Sequence, residues 1–136
     1  MKYNGVIQRK FALLNDHVQE IRRHLSSMDY PEFLASRVSR LATERALQLC
    51  AEIVIDVAER VIAIERAGPV ASAAEAMTRL QKLGVIRDAE PYIGIVRFRN
   101  LIVHEYEQID PELLFKLATT QLDDFLAFRD EIDRAE

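Results

Sequence analysis

Apolar residues recur down the first part of the chain with helical spacing. Ile7, Phe11, Leu14, Val18, Ile21 and Leu25 follow one another at steps of four and three. At 3.6 residues per turn these six side chains form one continuous stripe on one face of a helix. A strand would need a period of two, and no segment of the chain offers one. The stripe ends near Ser26-Ser-Met-Asp-Tyr-Pro31, where Pro31 disfavours helical backbone at Tyr30.

A second helix is expected from Pro31 to about Arg66. Leu34, Val38 and Leu41 continue one stripe, and from Ala46 to Ile64 apolar residues occupy two faces, which marks a central helix. Ala67-Gly-Pro69 stops it. Ser72 and Glu75 have the spacing of a capping box for a short third helix, and Gly84 has the place of its C′ residue. A fourth helix starts around Asp88 to Pro91. A fifth follows Asp110 as N-cap and Pro111 at the first helical position, with Leu114, Leu117, Gln121, Phe125, Phe128 and Ile132 on its inner face. The expectation is one all-α domain over residues 1–136, an up-and-down bundle of four longer helices plus a short one. Only 4 Gly and 4 Pro in 136 residues agree with that, being too few for a turn-rich β-fold.

Charge and cysteine content exclude several classes. The net charge of −4 argues against a general nucleic-acid binder. The acidity is concentrated after residue 104: residues 105–136 hold ten acids and three bases, net −7, and the remainder is net +3. A local basic site therefore has room in the first 104 residues. Cys50, the single cysteine, sits in an apolar run and reads as a small buried hydrophobe. No uncharged run has the length of a membrane span, and Arg9 and Lys10 interrupt the one early apolar stretch, so no signal peptide is read and a cytoplasmic location is expected. No zinc spacing, glycine-rich phosphate loop or nucleophile elbow is present. No metal and no cofactor is expected.

The chemistry is concentrated in Arg97-Phe-Arg-Asn-Leu-Ile-Val-His-Glu-Tyr106, where polar side chains interrupt an apolar run in the fourth helix. Asn100 and His104 are four apart, so the amide can bond the imidazole and fix its tautomer. Arg97 and His104 are seven apart and share a face. Arg99 precedes His104 by five, about 140° around the axis and about 7.5 Å along it. These two flank a ligand only at a helix end near His104 or across two chains. A plainer role is also open: Arg, His and Tyr near a helix C-terminus satisfy terminal carbonyls and the dipole.

Arg99, His104 and Tyr106 also make the R-x4-H-x-Y pattern, with the polar Asn100 directly after the arginine. In this pattern, in length, in its all-helical plan, in Glu44-Arg-Ala-Leu-Gln-Leu-Cys-Ala-Glu-Ile-Val-Ile-Asp-Val-Ala58, and in the run from His104 into the last helix, the chain resembles the HepT-like branch of the HEPN superfamily. The resemblance implies a metal-independent endoribonuclease toxin of a type VII toxin–antitoxin system, with Arg99 and His104 catalytic and Asn100 supporting. It implies an MntA-like minimal nucleotidyltransferase antitoxin as partner, which silences the toxin by AMP transfer to Tyr106, and a homodimer whose two motifs face one cleft. RNA is then the substrate. Arg97 also precedes His104, but Arg99 alone fits the HepT form. The alternative is a non-catalytic helical subunit that binds a nucleotidyltransferase.

The polar residues of the central helix have two readings. Arg45, Glu52, Asp56 and Glu59 lie at near-heptad spacing in the central helix, either as its solvated face or with Glu52 or Asp56 orienting Arg99 or His104. His17, His24, Arg37 and Arg40 read as surface residues.

Overall fold

The apolar stripe of the first segment becomes helix α1, Gly5–Leu25, with Ile7, Phe11, Leu14, Val18, Ile21 and Leu25 all buried. The computed structural model describes residue 3, residues 5–104 and residues 109–136. Six further helices follow: α2 (Tyr30–Ala35), α3 (Arg37–Ile64), α4 (Ala73–Lys82), α5 (Glu90–His104), α6 (Pro111–Thr120) and α7 (Leu122–Ala135). No strand occurs among the described residues. The domain is all-α, as expected.

Helix α3 is the axis of the bundle and packs against each of the other six. Leu47, Cys50, Ala51, Val54, Val57, Ala58 and Val61 are completely buried. Ile53, Val54 and Ile55 are buried in succession, the two-faced pattern that a central helix requires. Its C-terminus is a Schellman turn: Arg66 N–H donates to Ala63 O at 3.2 Å and Ala67 N–H to Ile62 O at 3.0 Å, with Arg66 at φ 55°. Helix α4 starts on the Ser72 cap, whose hydroxyl accepts from Glu75 N. It ends in the same turn with Gly84 at φ 78°, Gly84 N donating to Gln81 O and Val85 N to Leu80 O.

Two of the expected helices are each broken in two. The helix expected from Pro31 stops at Ser36, which is extended (φ −101°, ψ 99°) and caps both α2 and α3. Ser36 Oγ accepts from Ser39 N at 3.1 Å, an alternative to continued helix for the freed backbone donor. Asp29 and Glu32 form a reciprocal capping box that starts α2 at Tyr30, one residue before Pro31. The turn redirects α2 so that Phe33 is buried and, with Tyr30, packs on the Phe115 ring of α6. As a result Leu34, Val38 and Leu41 do not face the core; Val38 is 78% exposed.

The last expected helix steps at Gln121. Thr119 Oγ1 and Thr120 Oγ1 bond back to the carbonyls of Phe115 and Lys116, at 2.9 and 2.6 Å. Such bonds compete with the helical ladder and bend it. The inner face survives the step, with Leu114, Phe125, Phe128 and Ile132 buried. No helix among the described residues is long and apolar enough to cross a membrane.

Candidate active site

Helix α5 is fixed by Tyr92, Ile95, Val96 and Phe98, which are buried against α3, α4 and α7. Leu101 and Ile102 are only partly buried, and Val103 is 46% exposed. The polar residues of the stretch therefore lie on the less buried part of α5. Arg99 is partly buried, while Asn100 and His104 are exposed.

Arg99 is held from two sides. Its Nη1 donates to Glu52 Oε2 of α3 at 3.4 Å, and its Nε donates to Asn100 Oδ1 at 2.9 Å. The Asn100 amide, expected to bond His104, bonds Arg99 instead. Helical spacing brings Asn100 and His104 within reach, but an exposed amide takes the stronger charge-assisted acceptor role beside a guanidinium. Arg97 is exposed and lines a shallow groove with Gly94, Phe98 and Leu101 of α5 and with Leu113 and Leu117 of α6. It is not part of the Arg99 cluster. Tyr106 lies outside the described residues.

The two acids of α3 divide their partners. Glu52 pairs with Arg99, and Asp56 pairs with Lys10 at 2.6 Å and Arg60 at 3.1 Å. Burial opposes the charge on Asp56, but the hydrogen bonds and positive charge of Lys10 and Arg60 outweigh it and hold the carboxyl below its usual range. Lys10, Leu13 and His17 of α1 and Leu49, Glu52, Ile53 and Asp56 of α3 line a groove beside the motif. Sequence reasoning missed Lys10, which has no signal but position, one helical turn from Ile7 and Leu14 on the rim of the stripe.

Of the two histidines of α1, His17 lines the groove with Glu52, and His24 lies further along the helix. His17 Nδ1 is 3.8 Å from Glu20 Oε2, and His24 Nε2 is 2.9 Å from Ser39 Oγ, tying α1 to the start of α3. Among the described residues, no three His, Cys, Asp or Glu side chains gather in a metal-binding group.

The arrangement is a guanidinium aimed by two acceptors on the helix that also presents an exposed imidazole. Guanidinium and imidazole are the groups that bind phosphate and move protons near neutral pH. The family model described as Ribonuclease HepT-like matches residues 14–132. The chain belongs to the HepT-like family. A tRNA nuclease HepT from Aphanizomenon flos-aquae (strain 2012/KM1/D3) is 26% identical over 115 residues, covering 81% of this chain and 76% of the relative. Among solved structures, a toxin–antitoxin complex with AMP-PNP superposes with a TM-score of 0.87 at 24% identity, over 98% of this chain and 100% of that one. A tri-AMPylated Shewanella oneidensis HEPN toxin, solved with its MNT antitoxin, gives the same TM-score and identity over 98% and 99%. At that identity these structures establish the shared HEPN fold. The R-x4-H-x-Y pattern of this chain, Arg99, His104 and Tyr106, falls inside the matched residues.

Proposed function

We propose that this protein is a metal-independent endoribonuclease and the toxin of a toxin–antitoxin pair, neutralised by an MntA-like nucleotidyltransferase. The observation that carries this reading is the paired anchoring of Arg99 by Glu52 and Asn100 on the helix that ends in His104. A helix-terminal arginine that only satisfied carbonyls would have no need of two side-chain acceptors. The HepT-like family match and the names of the relatives, a tRNA nuclease and an AMPylated HEPN toxin, support the same reading.

In the proposed reaction the 2′-hydroxyl of RNA loses its proton to a base and its oxygen attacks the adjacent phosphorus. The P–O5′ bond then breaks, and an acid protonates the 5′-oxygen, leaving a 2′,3′-cyclic phosphate and a 5′-hydroxyl. Arg99 stabilises the charge that develops on the phosphoryl oxygens. His104 is suited to the proton transfers. A two-fold homodimer supplies two copies of His104, one as base and one as acid, and brings both arginines to one cleft. Inhibition follows when the Tyr106 oxygen attacks the α-phosphorus of ATP, losing its proton and releasing pyrophosphate. The resulting adenylate adds bulk and negative charge that exclude RNA.

The test is RNA cleavage by wild type and His104→Ala with a chelator present. Wild type is expected to cut and the variant to lose activity. Equal inactivity would leave the second role, a binding subunit of a nucleotidyltransferase. Tyr106→Phe is expected to cut RNA and to resist silencing by nucleotidyl transfer; a silenced, modified variant would move the modification elsewhere.

A further inference from the structure

Glu52 interrupts a buried run on α3, between Ala51 and Ile53, and its carboxylate reaches across to α5. The two residues are 47 apart in sequence, so the contact is a product of helix packing. Asp56, one turn further on, is already engaged by Lys10 and Arg60. We infer that Glu52 is a positioning residue for Arg99, fixing the plane of its guanidinium for the phosphate of the substrate. This rests on the ribonuclease reading given above.

The geometry gives the reason. A guanidinium carries five N–H donors in one plane. Asn100 takes the Nε donor and Glu52 one of those on Nη1. Three remain, including both on Nη2, which is enough for the two parallel bonds that a phosphoryl group accepts. Two acceptors at different nitrogens, one from α5 itself and one from α3, fix the guanidinium plane against turning about the Cδ–Nε bond, and the bond to Nη1 further slows flips about the conjugated Nε–Cζ bond.

Charge separates this role from a contribution to affinity. A carboxylate 3.4 Å from Arg99 lowers the positive potential that attracts RNA. Glu52 therefore weakens ground-state binding, and its benefit lies in orientation during the reaction, so it is read in kcat and not in KM.

The experiment compares wild type, Glu52→Ala, Glu52→Gln and His104→Ala on one RNA. Glu52→Ala is expected to lose about tenfold or more in kcat with KM unchanged or lower. Glu52→Gln keeps an acceptor oxygen and is expected to hold kcat within about threefold while binding a 2′-O-methyl RNA more tightly, with a steeper salt dependence. A merely structural residue would lower Tm in both variants and show no rescue by glutamine. Nitrogen-15 spectra of the arginine side chains give a readout that needs no turnover. Slow rotation of the Arg99 guanidinium is expected in wild type and Glu52→Gln, and fast rotation in Glu52→Ala. Glu52→Ala with wild-type kcat, or with slow rotation retained, overturns the inference while the ribonuclease reading stands. Wild type no more active than His104→Ala overturns that reading and the inference with it.

Discussion

Tyr92 of α5 donates its phenolic hydrogen bond to the Glu131 carboxylate of α7. The same carboxylate accepts from the backbone N–H of Arg87 at 2.8 Å, and the Tyr92 ring stands edge-on to Phe128 with centroids 5.1 Å apart. The helix that carries Arg99 and His104 is thus pinned to the last helix of the bundle. Removing one partner of a bond to a charged group costs about 1.5–3 kcal/mol. Tyr92→Phe and Glu131→Gln are each expected to fall in or just below that range. Denaturant titration of the singles and the double should show that the second change adds little to the first; strict additivity would mean that the two groups do not interact.

Tyr92 also sets an alkaline limit. Burial, and then the neighbouring Glu131, raise its pKa well above the ordinary value of 10.0. Tyr3 is raised to about 12 by burial and by its bond to Glu65. A group with a raised folded pKa contributes stability that is complete below its unfolded value and is lost as pH climbs toward the folded one. Stability is therefore expected to hold up to about pH 10 and to fall above it. Phenolate absorbance of wild type and Tyr92→Phe should coincide below that point and separate only as the fold is lost.

On the acid side the sign reverses. Asp56 has a folded pKa below its ordinary 3.8. Its contribution is present above 3.8 and disappears as pH falls through the lower folded value. The carboxylate is 41% exposed, so the expected effect is small. Asp56→Asn should lose about 0.5 kcal/mol at neutral pH and nothing at the acid end, measured by denaturant titration at both pH values.

The Cys50 thiol is buried, and burial pushes its pKa up to about 12. Thiolate is the reactive form. Labelling by a thiol reagent at neutral pH is expected to be slow and to accelerate in denaturant in step with unfolding. Rapid labelling of the native protein would show that α3 opens locally.

Arg66 occupies the left-handed C′ position of α3 at φ 55°, where a side chain costs about 1 kcal/mol relative to glycine. Arg66→Gly is expected to raise stability by about that amount, read as a higher denaturation midpoint at unchanged slope. Gly84, at φ 78° in the equivalent turn of α4, already carries the residue the geometry favours.

Regular periodicity made much of the architecture legible. The α1 stripe, the two-faced α3 and the caps at Ser72 and Asp110 each express a local rule, and each is found where its spacing puts it. The breaks were not legible, because Ser36 and the Thr119–Thr120 pair offer the backbone alternative partners that do not disturb the apolar spacing. Leu34, Val38 and Leu41 show the result: a stripe in sequence that lies on the surface once α2 turns. At the site, the sequence marked out Arg99, Asn100 and His104, but spacing along one helix fixes only which Cβ atoms are near. Which acceptor Asn100 serves, and which of Glu52 and Asp56 meets Arg99, depended on the rotation of α3 against α5.

The pinning of α5 by α7 has a consequence for synthesis. Tyr92 takes its partners from Phe128 and Glu131, which are translated well after His104. A nascent chain, or one cut short before α7, has the whole Arg99–His104 segment and the packing of its helix on α3 and α4, but lacks the anchor of Tyr92 on α7. The last support of the helix that carries Arg99 and His104 is thus added only when the final helix of the chain has left the exit tunnel.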